Sequence, residues 1–62
     1  MPDKQSLFET AVRDAVVVLN LMRQEVFAGP AYTTADDSTE KAKAAGFTFE
    51  EIEAEAKRRI DG

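Results

Sequence analysis

The chain has 62 residues, no cysteine and no histidine, with twelve acidic against eight basic side chains for a net charge of −4. That composition excludes imidazole and thiol catalysis, disulfide staples and the usual zinc ligands. It also argues against binding to phosphate backbones or anionic membranes.

A chain this short makes one small domain, expected over residues 1–62. At this size apolar burial and chain entropy nearly cancel. Oligomerisation or a partner protein is the stabilising aid that remains. Its first residues do not form a signal peptide, and its longest apolar run, Ala15 to Leu19, is far shorter than a membrane span. A cytoplasmic protein with no membrane contact is the expectation.

The first helix is expected over about residues 6–28. Ser6-Leu7-Phe8-Glu9 has the form of a capping box, with Asp3 an alternative start. Gly29-Pro30 supplies a stop, because Gly tolerates a left-handed cap and Pro cannot continue the hydrogen-bond ladder. Within the helix Phe8, Val12, Ala15, Leu19, Met22 and Val26 alternate by four and three, an a/d seam. Leu7, Ala11 and Val18 widen it, and Glu9, Arg13, Asn20 and Gln24 form the opposite polar stripe.

A connector is expected over 29–37, followed by a short helix over about 38–45, capped by Asp37 with Glu40 in its first turn and closed by Gly46. The third helix, about 49–60, has the strongest start signal. Thr48 and Glu51 form a capping box, and Phe47 and Ile52 stand at the two positions of a hydrophobic staple. Glu53–Lys57 and Glu55–Arg59 have the favourable i,i+4 order.

The fold expected is all-α: a long N-terminal helix, a connector, then a short and a medium helix forming a hairpin. The apolar stripes of the two later helices look too narrow to cover helix 1. The seam therefore predicts packing against a second copy or a partner protein. The preferred form is a dimeric helical bundle paired antiparallel around Ala15 to Leu19, with parallel pairing the alternative and Phe8, Val12, Ala15, Leu19, Met22 and Val26 as the self-association residues.

Three features bear on chemistry. The segment 39–60 has the order of a helix-turn-helix, and Gly46-Phe47-Thr48-Phe49-Glu50-Glu51-Ile52 resembles a turn of MerR-type regulators. That resemblance covers seven residues and implies DNA reading. Against it, Lys41 and Glu55 stand where apolar residues belong, and Glu50, Glu51, Glu53 and Glu55 would repel phosphates.

The run Asp36-Asp37-Ser38-Thr39-Glu40 lacks the alternate spacing, central Gly and distant Glu of a calcium loop, so no metal and no cofactor are expected. Phe27 and Tyr32 near the connector, with Glu50 and Glu53 on the acidic face of helix 3, are the candidate partner-binding residues. The function expected is non-catalytic: a self-associating adaptor or inhibitor that binds a protein. A DNA-binding regulator using residues 39–60 and a purely structural oligomerisation module are the alternatives.

Overall fold

The computed structural model describes residues 3–61; Met1, Pro2 and Gly62, the ends of the expected domain, lie outside the described residues. Three helices follow one another: α1 (Lys4–Arg23), α2 (Pro30–Ala44) and α3 (Phe49–Asp61). The described residues contain no strand. The all-α class is as expected, while the lengths of the first two helices differ from the expectation.

At the start of α1 the cap is Asp3, the alternative, and not Ser6. The backbone N–H of Ser6 donates to Asp3 Oδ1 at 2.7 Å, which places Ser6 inside the first turn. That bond holds the Asp3 carboxyl below its ordinary pKa.

Helix α1 ends at Arg23, well before Gly29. Gln24 is its C-cap, and Glu25 adopts the left-handed conformation with φ 62°. The Val26 N–H then bonds the Leu21 carbonyl at 2.8 Å and the Glu25 N–H bonds the Met22 carbonyl at 3.0 Å. These two bonds make a Schellman ending without a glycine. Val26, assigned to the seam by the sequence, is therefore outside the helix.

Gly29 and Pro30 do not stop α1; they start α2. Gly29, with φ 136°, is the N-cap, and Pro30 occupies the first helical position, where its missing N–H removes nothing from the ladder. The expected connector 29–37 is thus mostly helix, and the expected cap at Asp37 lies mid-helix, paired with Lys41 at 3.1 Å. At the far end Gly46, with φ 110°, closes α2. There Phe47 N–H bonds Ala42 carbonyl at 3.1 Å and Gly46 N–H bonds Lys43 carbonyl at 3.0 Å, a second Schellman ending.

Helix α3 follows the expectation closely. Glu51 N–H donates to Thr48 Oγ1 and Thr48 N–H donates to Glu51 Oε1, both at 3.1 Å. The capping box is complete, and Phe47 packs against the cluster that contains Ile52.

Helix α1 packs against both α2 and α3, while α2 and α3 make few contacts with each other. The buried apolar residues are Ala11 and Val12 from α1, Ala42 from α2, and Ile52 and Ala56 from α3. Alanines on all three helices let the backbones approach closely at that level. Phe8, Ala15, Val16, Leu19 and Phe47 surround this cluster, with the Phe8 and Phe47 rings 4.6 Å apart.

One buried polar side chain belongs to the core level. Ser38 is 7% exposed, and its hydroxyl donates to the Asp14 carboxylate across the α1–α2 interface while lying 3.0 Å from the Thr34 carbonyl. The α1–α3 contact ends in an ionic clamp: Arg59 grips Glu9 through two nitrogens at 2.8 and 2.7 Å.

Candidate protein-binding groove

Because α2 and α3 diverge from the Gly46 turn, part of α1 has no helix over it. A groove of about 300 Å³ opens there. Its floor is Ala15, Val18, Leu19 and Met22 of α1. One wall is Tyr32, Ala35, Asp36 and Thr39 of α2, and the other is Phe49, Ile52 and Glu53 of α3. A second depression of about 430 Å³ shares Leu19 and Met22 and continues toward Arg23, Lys57, Ile60 and Asp61.

The lining is mostly apolar, with acidic edges. Asp36 makes no ion pair among the described residues, and Glu53 is neutralised by Lys57 at 2.9 Å. Tyr32 is fixed as a wall residue because its hydroxyl donates to the Val26 carbonyl at 2.6 Å. That bond also ties the connector between α1 and α2, residues 24–29, to the first turn of α2. Beside the groove Phe27 is 68% exposed; Phe49, on the wall, is 53% exposed, and Met22, on the floor, 44%.

The structure divides the sequence-derived seam. Val12 is wholly enclosed by the chain's own helices, and Phe8 is stacked on Phe47. Ala15, Leu19 and Met22 line the groove, and Val26 stands exposed in the connector. The argument that α2 and α3 are too narrow to cover α1 fails at the level of Val12 and holds at Met22.

Of the four candidate partner-binding residues, Tyr32 and Glu53 line the groove. Phe27 adjoins it through the Tyr32–Val26 bond, and Glu50 is an exposed residue in the first turn of α3.

Sequence reasoning missed Ala35, Asp36 and Thr39. With Tyr32 they stand at i, i+3, i+4 and i+7, the spacing of one helix face. Reading Pro30 as the first residue of a helix would have exposed that stripe.

Two other arrangements follow from the geometry. Glu50 and Glu51 occupy the first turn of α3, the part of a helix-turn-helix that meets bases. Among the described residues no three acidic side chains converge as a metal site, and no helix is long and apolar enough to cross a membrane. No family model, curated protein sequence or solved structure matches this chain.

Proposed function

We propose that this chain is a small non-catalytic adaptor or inhibitor that receives an apolar segment of a partner protein in the groove between α2 and α3. The observation that carries the reading is the groove itself: an apolar floor on α1, aromatic walls from Tyr32 and Phe49, and a carboxylate on each edge. Grooves of this form take one apolar face of a helix or strand, with a few anchoring side chains. The Asp36 edge, unpaired among the described residues, with a net charge of −4 over the chain, favours a segment flanked by lysine or arginine.

Capture from source-cell lysate tests the reading when the wild type is run beside Ala35→Trp, with and without nuclease. A wall residue enlarged in this way fills the groove, and circular dichroism checks that the helices remain. A protein retained by the wild type in the presence of nuclease, and lost from Ala35→Trp, is the expected result. Capture that ignores Ala35→Trp removes the groove from the function. Capture that disappears with nuclease transfers the function to nucleic acid, the reading based on residues 39–60.

A further inference from the structure

We infer that, without a partner, the groove is occupied by Phe27 of a second copy of the chain, in a two-fold dimer with both grooves filled. The inference rests on the groove being a docking surface, as proposed above. Phe27 is the most exposed large apolar side chain among the described residues, at 68%.

Its position suits exchange between two copies. The Val26 carbonyl that precedes Phe27 is bonded to Tyr32, a wall of the groove, so projection and cavity adjoin on each molecule. A two-fold axis beside them brings each projection to the other copy's cavity, as a self-complementary interface requires.

Charge agrees with this placement. Arg23 lies four residues before Phe27 with its side chain 65% exposed and a single 4.0 Å contact to Asp61, and the groove that receives it carries Asp36, which makes no ion pair among the described residues. A protomer whose fully enclosed large side chains, among the described residues, are Val12 and Ile52 gains stability by such pairing. Dimer and partner complex then exclude each other, and self-association sets the partner affinity.

Sedimentation of the purified protein from about 10 µM to about 1 mM tests this, a range that covers weak homodimers. The expected result is a concentration-dependent dimer, with Phe27→Ala and Ala35→Trp each weakening it by at least about tenfold. An equimolar mixture of the two variants is expected to associate more strongly than either alone. One member keeps an open groove and the other keeps its phenylalanine; general destabilisation would show no such rescue.

A monomer throughout the range, a dimer unchanged by Phe27→Ala, or a mixture without rescue overturns the inference. These readings need no partner, so their failure leaves the lysate experiment to decide the groove's function independently. A rescued dimer combined with capture that ignores Ala35→Trp would retain the dimer and reject the partner reading alone.

Discussion

The two ends of α1 are about equally apolar and have different surroundings. Around Ala11 and Val12 three helices meet, and both side chains are completely covered. Around Met22 the neighbouring helices have separated, and the side chain is 44% exposed. The difference comes from the residues opposite. Ala42 and Ala56 are small enough to bring α2 and α3 onto α1 together, whereas Tyr32, Phe49 and Glu53 hold the walls apart. An apolar seam therefore locates a helix face that wants cover, and the facing side chains decide whether the chain itself supplies it.

The largest expected effects separate these two levels directly. Ile52→Ala removes one of the two large side chains fully enclosed among the described residues, and is expected to cost about 2–4 kcal/mol. That is a large share of what a small domain possesses, roughly 0.05–0.15 kcal/mol per residue. Met22→Ala, on the open side, is expected to cost below about 1 kcal/mol, because much of that side chain is already in water. Urea unfolding followed by circular dichroism at a fixed protein concentration measures both. Equal losses would mean that the open end is as well packed as the closed one.

The polar contact of the closed level comes next. Ser38→Ala leaves the half-buried Asp14 carboxylate without its donor and is expected to cost about 1–2 kcal/mol. Asp14→Asn keeps an acceptor in the same place and should cost less. A Ser38→Ala protein as stable as the wild type would show that water satisfies Asp14 fully, and that the α1–α2 interface is looser than its burial indicates.

The sequence made the helices legible wherever local chemistry set the boundary. The Thr48–Glu51 box and the Phe47 staple locate the start of α3 because every partner lies within five residues. Gly46 locates the end of α2 because its φ of 110° strongly favours glycine. The connector was misread because Gly-Pro serves either as a helix stop or as a helix start, and only packing decides between them. At Glu25 no residue type announces the turn: a glutamate with φ 62° occupies the position where glycine usually stands.

The groove was half legible for the same reason. Its floor and one wall fall on faces visible in the sequence, whereas the α2 wall was hidden by assigning residues 29–37 to a loop.

The two Schellman endings give a pair of smaller effects of opposite sign. Gly46→Ala meets no atom within 4 Å, so its cost is conformational only, about 1–2 kcal/mol. Glu25→Gly relieves a left-handed glutamate and is expected to stabilise by about 0.5–1 kcal/mol, since glycine gives back part of the gain as chain entropy. Shifts in urea midpoint measure both. Destabilisation by Glu25→Gly would mean that the Glu25 side chain makes a contact worth more than its backbone strain.

The smallest expected effect is electrostatic and lies at the clamp between α1 and α3. Hydrogen bonds from Arg58 and then Arg59 hold the Glu55 carboxyl down at about 2, and Arg59 lowers Glu9 in the same direction. Both folded-state values lie below the ordinary glutamate value of 4.5. Each carboxylate therefore adds stability that is fully present above that pH and is lost as pH falls through the folded value. These groups are partly exposed, so water and salt screen the contribution, and it should shrink in concentrated salt.

The measurement is the urea midpoint from neutral pH down to about pH 2, at low and high ionic strength, for the wild type and Glu9→Gln. The variant should begin lower and decline less steeply on acidification, with the two proteins converging in acid. Parallel curves would show that Arg59 holds α3 against α1 by the packing of its stem and not by its charge, and that the closed level needs no ionic clamp to remain closed.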